Sequence, residues 1–197
     1  MNLDQLMLEN PLMLTIKLSR FKFVAKLLNE NDHVLDVGCG KGQSTTFFSK
    51  YCRKIHGIDI SAEKIDYAKK YNAGNFTTYE VLDATFLKDG ISDFYDVIVL
   101  LDFIEHLDKN NGKQVLIECT GKLKNSGFVI IGTPNINFAH LRSEISKSVH
   151  KYEYSPFEFR RMLQPVFNRV IYFSMNDEVV HTGNLETSWF LWAVCFL

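Results

Sequence analysis

The interpretation of this chain starts from the stretch His33-Val34-Leu35-Asp36-Val37-Gly38-Cys39-Gly40-Lys41-Gly42. Its first five residues form a compact apolar run with one acid, which is typical of a buried parallel strand. Three glycines then alternate with other residues, so the backbone can turn sharply and a ligand can approach it closely. A helix is predicted over 43–50, with its N-terminus facing the same ligand. The stretch therefore predicts a loop that binds a nucleotide-type cofactor.

The spacing of the glycines distinguishes two kinds of nucleotide cofactor. The dinucleotide fingerprint is G-x-G-x-x-G, whereas the three glycines here follow one another at every second position. Asp36, two residues before the first glycine, would repel a pyrophosphate but suits a cationic amino-acid moiety. The D-x-G-x-G-x-G pattern resembles motif I of class I S-adenosyl-L-methionine (SAM)-dependent methyltransferases. An NAD-dependent oxidoreductase is disfavoured by both features.

Composition and charge restrict the class of protein. With 197 residues, 46% of them hydrophobic, the chain is long enough to bury the core of a single domain. A formal net charge of −1 argues against a nucleic-acid partner, since such binding usually needs a basic surplus. The four cysteines show neither a C-x-x-C pair nor zinc-site spacing. With no signal peptide and no apolar run near the ~20 residues of a membrane span, the sequence predicts a cytoplasmic protein.

Strand and helix patterns alternate along the chain and predict one α/β domain over 1–197. Leading helices are expected within 1–30, a helix over 112–123, a polar loop over 176–186 and closing strands over 169–173 and 189–196. The resemblance implies a doubly wound, mostly parallel, seven-stranded Rossmann-like sheet with an antiparallel last strand. Apolar residues at helical spacing in 136–156 predict an amphipathic helix, in the place where the resembled family carries its substrate cap.

Acids at the ends of the next two strands extend the predicted cofactor site. Asp59 follows the glycine loop by about 20 residues, where a carboxylate accepts hydrogen bonds from ribose hydroxyls; the alternative is a helix N-cap, a role that suits Ser61 better. Ile60 would then pack on the adenine ring. The resemblance implies that Asp83 and the Ala84 amide contact the adenine, with an Asx-turn at Asp83 as the alternative. The full set of predicted cofactor contacts is Asp36, Gly38, Cys39, Gly40, Asp59, Ile60, Asp83, Ala84 and the Leu101 backbone.

The residues after the fourth predicted strand are the candidates for catalysis. His106 is the candidate general base, because the unperturbed pKa of histidine lies near working pH. Glu105 and His150 complete the candidate catalytic set. SAM already carries an activated, positively charged leaving group, so the protein has to align the reactants and remove a proton from a hydroxyl or amine acceptor. The alternative is structural, since Asp102 and Glu105 have the spacing of a capping box.

A divalent metal site is a further hypothesis for the same region. The resemblance extends to the E-x-x-E-H and H-x-F-E-W ligands of metal-dependent small-RNA 3′-end methyltransferases, and in part to the ubiquinone-pathway O-methyltransferases. The corresponding candidates here are Asp102, Glu105, His106 and His150. A hard ion such as Mg²⁺ would orient substrate hydroxyls and lower the acceptor pKa. The chain departs from the motif through the aspartate and through two tyrosines at its aromatic positions.

These patterns favour a SAM-dependent methyltransferase that acts on the oxygen of a small-molecule or glycan-type acceptor, with N-methylation as the alternative. A second hypothesis is 2′-O-methylation of RNA 3′ ends, suggested by His106 and His150 and opposed by the near-neutral charge. A third is a SAM-binding partner protein without catalysis. The expected assembly is a monomer or homodimer.

Overall fold

The computed structural model describes residues 7–141 and 148–197 and consists of one sheet with helices on both faces. The eight strands of the sheet lie in the order β3-β2-β1-β4-β5-β8-β6-β7. Their bounds are β1 His33–Val37, β2 Lys54–Asp59, β3 Thr77–Val81, β4 Tyr95–Leu101, β5 Leu123–Pro134, β6 Arg169–Asn176, β7 Val179–His181 and β8 Phe190–Phe196.

The strand directions confirm the predicted doubly wound architecture. Strands β1 to β5 pair in parallel, and β8 runs antiparallel between β5 and β6. The sheet has eight strands rather than seven, because β7 forms a hairpin with β6 inside the stretch expected to be a polar loop. Asp177, at a φ of 49°, makes the tight turn. A strand of three partly exposed residues carries no apolar alternation, so the sequence pattern did not reveal it.

Six helices have both of their ends within the described residues, and four short 3₁₀ segments accompany them. The helices are α1 Pro11–Leu27, α2 Gln43–Phe48, α3 Ala62–Tyr71, α4 Leu87–Gly90, α5 Lys109–Thr120 and α6 Pro156–Leu163. The 3₁₀ segments are Ala84–Phe86, Ile104–His106, Ile136–Leu141 and Leu185–Thr187. Of the predicted leading helices in 1–30, α1 is described, and residues 1–6 lie outside the described residues.

Capping side chains explain where several helices begin. The predicted helix over 112–123 instead begins at Lys109, because the Asp108 carboxylate accepts hydrogen bonds from the Asn110 and Asn111 amides. A capping box between Ser155 and Glu158 starts α6. The N-termini are thus fixed by polar residues one turn before the apolar periodicity becomes visible.

The amphipathic helix expected over 136–156 is not continuous in the described part of that range. Residues 136–141 form a 3₁₀ segment and 142–147 lie outside the described residues. Tyr154 forms a bridge with Asn135. The substrate-cap role of this range therefore remains a prediction.

Alternate residues of the central strands feed two hydrophobic cores. On one face, Leu35 and Ile98 pack with the α5 residue Leu116. On the other face, Val34 and Val97 pack with Phe21 and Val24 of α1 and with Trp192 of β8. Burial on both faces explains why β1 and β4 are nearly continuous apolar runs. None of the described helices is long and apolar enough to cross a membrane.

Candidate functional site

The glycine loop lies at the carboxyl end of β1, where its backbone adopts conformations that only glycine accepts easily. Gly38, Gly40 and Gly42 have φ values of 73°, 56° and 81°. The amides of Gly38 and Cys39 both donate to the Ile58 carbonyl, at 2.8 and 2.9 Å, and so join the loop to β2. A Cβ on Gly38 would lie 2.3 Å from the Phe103 ring, whereas one on Gly40 would meet nothing within 4 Å. The loop is therefore tightly packed against Phe103 at Gly38 and open at Gly40.

The open side of the loop faces a cavity of about 290 Å³. Four of the predicted cofactor residues line it, namely Gly38, Cys39, Gly40 and Leu101. Residues that were not predicted as cofactor contacts also line it: Lys17 and Phe21 from α1, Gln43 and Ser44 from α2, Lys41, Lys64, and the metal candidate Asp102. Asp36, Asp59, Ile60, Asp83 and Ala84 are not among its lining residues, although they flank the strand ends around it.

Asp36 is buried and connects β1 to the start of α2. Its Oδ2 accepts hydrogen bonds from the Ser44 hydroxyl at 2.8 Å and the Thr45 hydroxyl at 2.6 Å. Burial raises the pKa of Asp36 to about 6, while the two hydroxyl donors act in the opposite direction. In the structure, this carboxylate organises the helix that follows the glycine loop.

The raised pKa of Asp36 predicts a specific pH dependence of stability. Between its ordinary value of 3.8 and its folded value of about 6, the unfolded chain releases a proton that the folded chain keeps. The free energy of unfolding therefore falls as pH rises through this window, by up to about 3 kcal/mol from this group. Urea unfolding of cofactor-free protein at pH 4.5 and 7 should show this fall.

The matched variant is Asp36→Asn, which keeps an oxygen acceptor for the two hydroxyls but does not titrate. Other acids titrate equally in both proteins, so the difference between the two pH profiles isolates Asp36. If the profiles are parallel between pH 4.5 and 7, the carboxyl of Asp36 does not carry the raised pKa.

Asp59 is buried beneath the loop at the end of β2. Its Oδ2 accepts from the Gly40 amide at 3.0 Å and its Oδ1 from the Ser61 amide at 2.9 Å. Lys64 approaches Oδ2 to 3.7 Å. Ser61 is the N-cap of α3, through its hydroxyl and the Lys64 amide. Asp59 thus positions the loop and the start of α3, and the neighbouring Ile60 is 69% exposed.

Asp83 follows β3 and forms the Asx-turn that the sequence analysis left as an alternative. Its Oδ1 accepts from the Thr85 amide and hydroxyl, at 2.9 and 2.8 Å. These two bonds do not use Oδ2. Ala84 is buried directly after it. The turn and an adenine contact are therefore compatible at this position.

Asp102 directly follows β4 and is held by the helix that crosses above it. The Arg20 Nη1 atom of α1 lies 3.0 Å from each carboxylate oxygen, and the Arg20 guanidinium stacks 4.0 Å over the Phe190 ring. Asp102 has a φ of 50°, an uncommon conformation for a residue with a Cβ. No side chain caps the 3₁₀ segment Ile104–His106. The capping box of Asp102 and Glu105 is therefore not formed.

Three of the candidate catalytic residues come together immediately after β4. One ligand atom each of Glu105, His106 and His150 lies within 4.8 Å of the others. The His106 and His150 rings are 5.1 Å apart. Asp102, the fourth metal candidate, is not part of this group, since its carboxylate binds Arg20. The structure thus brings three of the four metal candidates together and leaves Asp102 outside their group.

Glu105 is the buried member of this group. Its Oε2 accepts from the Thr133 hydroxyl at 2.9 Å, whereas Oε1 is buried without a hydrogen-bond partner among the described residues. Burial, followed by the nearby charge of Asp102, raises the pKa of Glu105 to about 8. Thr133 was not selected from the sequence, although its place near the carboxyl end of β5 was an available signal.

Both histidines are oriented through Nδ1. His106 Nδ1 lies 3.1 Å from the Val149 carbonyl oxygen, and His150 Nδ1 lies 2.6 Å from Glu153 Oε1. A carbonyl oxygen only accepts, so His106 donates its Nδ1 proton and leaves Nε2 with a lone pair. Each imidazole can therefore present Nε2 to a proton or a metal ion.

The glycine loop after β1, the parallel strands β1 to β5 and the antiparallel β8 are together the features of a methyltransferase-type α/β fold. Residues 35–131 match a family model described as a methyltransferase domain. The ubiquinone biosynthesis O-methyltransferase of Rickettsia canadensis is 25% identical over 192 residues, covering 88% of this chain and 78% of that protein. The same-named protein of Rickettsia felis is 30% identical over 117 residues, covering 59% of this chain and 45% of that protein.

Among solved structures, the DhpI–SAH complex is similar in fold, with a TM-score of 0.71 at 16% sequence identity. The match covers 98% of this chain and 89% of the DhpI chain. The chain spans most of the Rickettsia canadensis relative but about half the length of several others. The matched domain, the relatives and the shared fold agree with one another. The chain is therefore similar to SAM-dependent methyltransferases in sequence, with the methyltransferase domain matched over residues 35–131, and in fold over most of its length.

Proposed function

We propose that the protein transfers the SAM methyl group to an oxygen atom of a small-molecule acceptor. The observation that carries the proposal is the group of Glu105, His106 and His150 directly after β4, whose last residue, Leu101, lines the cavity of the glycine loop. O-methylation needs a proton acceptor beside the reacting oxygen. The name of the Rickettsia canadensis relative supports oxygen rather than nitrogen as the methyl acceptor.

The cofactor would lie across the carboxyl ends of β1 to β4. Gly38, Cys39 and Gly40 would face its central part, Asp59 its ribose and Ile60 one face of its adenine. The remaining proposed contacts are Asp36 and the Leu101 backbone near the methionine portion, and Asp83 and Ala84 at the adenine edge. Lys17 adds a cation to the cavity wall, where it would attract the methionine carboxylate.

His106 would act as the general base. Its Nδ1–H donates to the Val149 carbonyl, which fixes the ring and leaves Nε2 to accept the proton of the acceptor hydroxyl. Bound SAM supplies a methyl group on a positively charged sulfur, and this sulfur is a good leaving group because it departs as a neutral thioether. The remaining task of the protein is to hold the acceptor oxygen in line with the methyl carbon while the proton leaves for His106.

The test begins with calorimetric titration of the full chain with S-adenosylhomocysteine, beside NAD⁺. Micromolar binding of the former alone supports the cofactor assignment, and binding of NAD⁺ alone would refute it. Methyl transfer from labelled SAM to a panel of phenols, catechols and sugar hydroxyls then tests catalysis. With an acceptor in hand, His106→Gln should lower kcat by about 10²-fold or more and leave S-adenosylhomocysteine affinity unchanged. A protein that binds the cofactor product but methylates nothing would instead be a SAM-binding partner.

A second candidate function is metal-dependent 2′-O-methylation of RNA 3′ ends. The specific observation in its favour is the partnerless buried Oε1 of Glu105, which lies with His106 and His150 in one group. One carboxylate and two imidazoles form a donor set that a divalent ion accepts. A bound ion would orient the terminal ribose hydroxyls and favour loss of the 2′ proton.

Metal binding can be measured without any acceptor. Titration with Mn²⁺, followed by electron paramagnetic resonance, should show one bound ion whose affinity falls at least about tenfold in His150→Gln. An RNA whose last nucleotide is 2′-deoxy is the matched control for methylation. Absence of Mn²⁺ binding, or methylation that persists unchanged in excess EDTA, would reject this candidate.

Compartment and assembly complete the proposal. All four cysteines are free thiols, which supports a reducing compartment such as the cytoplasm. We propose a monomer or a homodimer, and light scattering coupled to size-exclusion chromatography distinguishes the two by mass.

A further inference from the structure

The segment that carries His150 is held beside the candidate site by backbone hydrogen bonds. The Lys151 and Tyr152 amides donate to the Glu105 carbonyl at 2.8 and 3.1 Å, and Tyr154 forms a bridge with the residue that follows β5. These bonds join main-chain atoms, so they place the segment beside Glu105 whatever its side chains do. They do not set the direction in which the His150 imidazole points.

Glu153 supplies the contact that orients this imidazole. Its Oε1 lies 2.6 Å from His150 Nδ1, and the His150 and Glu153 side chains are only 9% and 10% exposed. An ionised carboxylate only accepts hydrogen bonds, so His150 donates its Nδ1 proton to Glu153. A hydrogen bond to a charged acceptor is shorter and stronger than one to a neutral acceptor, and a partly buried pair is screened less by solvent. The ring is therefore held at Nδ1, which leaves Nε2 for the site.

The two imidazoles of the site are anchored by different kinds of acceptor. His106 Nδ1 lies 3.1 Å from the neutral Val149 carbonyl oxygen, whereas His150 has a carboxylate at 2.6 Å. The two rings are 5.1 Å apart, with their planes at 76°. One ligand atom of each ring and one of Glu105 lie within 4.8 Å of one another. Because both Nδ1 atoms are engaged, Nε2 is the atom that either ring can offer to a ligand in this group.

A carboxylate behind an imidazole has a defined physical effect. In metal sites and in catalytic triads, such a carboxylate fixes the tautomer and the orientation of the ring. The same order of groups occurs here, since the Glu153 carboxylate binds one nitrogen of His150 and the ring belongs to the group that contains Glu105. The backbone bonds already place the segment, so the carboxylate adds the orientation of the ring.

We propose that Glu153 is a positioning residue of this site, whose carboxylate accepts the Nδ1–H of His150 and so holds the Nε2 lone pair toward the rest of the group. His150 would then meet an acceptor hydroxyl or a divalent ion in one fixed tautomer. The proposal rests on the site proposed above for methyl transfer, but it is measured on protein without SAM and without an acceptor. Its failure is therefore distinct from a failure of the proposed function.

The first measurement shows which ring nitrogen of His150 carries the proton. The histidines of the full chain are labelled with nitrogen-15, and two-dimensional NMR at pH 8.5, where an ordinary histidine is neutral, correlates the ring nitrogens with the carbon-bound ring hydrogens. The His150 signals are those that disappear in His150→Gln. We expect the Nδ1–H tautomer in the wild type. We expect a mixture of both tautomers in Glu153→Met, which keeps the side-chain length but removes the carboxylate that retains the proton.

Glu80→Met is the matched control. Glu80 also contacts a histidine, with its Oε2 3.3 Å from His56 Nε2, but it lies on β3 and outside the group. Its replacement should leave the His150 tautomer unchanged. An unchanged His150 tautomer in Glu153→Met, or an Nε2–H tautomer in the wild type, would overturn the proposal.

Metal affinity gives a second readout that a purely structural role would not change. In Mn²⁺ titrations followed by electron paramagnetic resonance, Glu153→Met should raise the Kd about tenfold or more, while Glu80→Met should not change it and both variants should still melt cooperatively. Equal Mn²⁺ affinity of the wild type and Glu153→Met would overturn the proposal. A wild type that binds no Mn²⁺ would reject the metal-dependent candidate function above, and the tautomer measurement alone then decides whether Glu153 positions His150.

Discussion

Replacing Asp59 with alanine should raise the Kd for S-adenosylhomocysteine at least about hundredfold. The proposed ribose contacts are two hydrogen bonds to a carboxylate, and each bond to a charged group contributes about 1.5–3 kcal/mol, while tenfold in affinity corresponds to about 1.4 kcal/mol. Calorimetric titration measures the change directly. Asp59 also accepts from the Gly40 and Ser61 amides, so the substitution removes support from the loop as well.

The support that Asp59 gives to the loop can be separated from its proposed ribose contacts. Asp59→Asn keeps an oxygen for one backbone amide but loses the charge and one acceptor, so it should bind more tightly than Asp59→Ala and more weakly than the wild type. Lys64→Gln removes the cation beside Asp59 while leaving its carboxylate in place. Wild-type affinity in Asp59→Ala, in a protein that remains folded, would disprove the ribose assignment.

The largest loss of stability is expected from Gly38→Ala. The new methyl group would lie 2.3 Å from the Phe103 ring, at a φ of 73°. Because both a clash and a left-handed backbone are involved, we expect a decrease of about 2–4 kcal/mol in the free energy of unfolding. Urea denaturation followed by circular dichroism measures it.

Gly40→Ala is the matched variant two residues away. Its φ of 56° is also positive, but within the described residues no atom outside Gly40 and its two chain neighbours lies within 4 Å of the new Cβ. The stability loss should therefore be about 1 kcal/mol. The methyl group would enter the open side of the loop, so the affinity for S-adenosylhomocysteine should fall by about tenfold or more. A reversed order of the two stabilities would contradict the packing described for Phe103.

The parts of the fold that depend on short-range pattern were predictable. β1 and β4 are buried on both faces, so their apolar runs appear directly in the sequence. The antiparallel β8 followed from the resemblance in the glycine loop. The start of α5 and the hairpin strand β7 were missed, because the first depends on one aspartate cap and the second on a turn at Asp177 and three residues of pairing.

The site was predictable only where its residues follow strands directly. Glu105 and His106 come after β4, and the structure places them with His150 as expected. Asp102 was assigned to the same group, but it pairs with Arg20, which is 82 residues away in the chain. Lys17 and Phe21 reach the cavity through the packing of α1. Such long-range contacts leave no local pattern in an amphipathic helix.

The strand order of the sheet has a consequence for self-association. One border is the five-residue β3, but at the other border β7 pairs only with the last three residues of β6. Residues 169–173 of β6 therefore have no outer strand neighbour in the described part of the chain. A border strand offers its unpaired backbone amides and carbonyls to an incoming strand. Two copies joined into one continuous sheet would therefore have to meet at this open part of β6 or at β3.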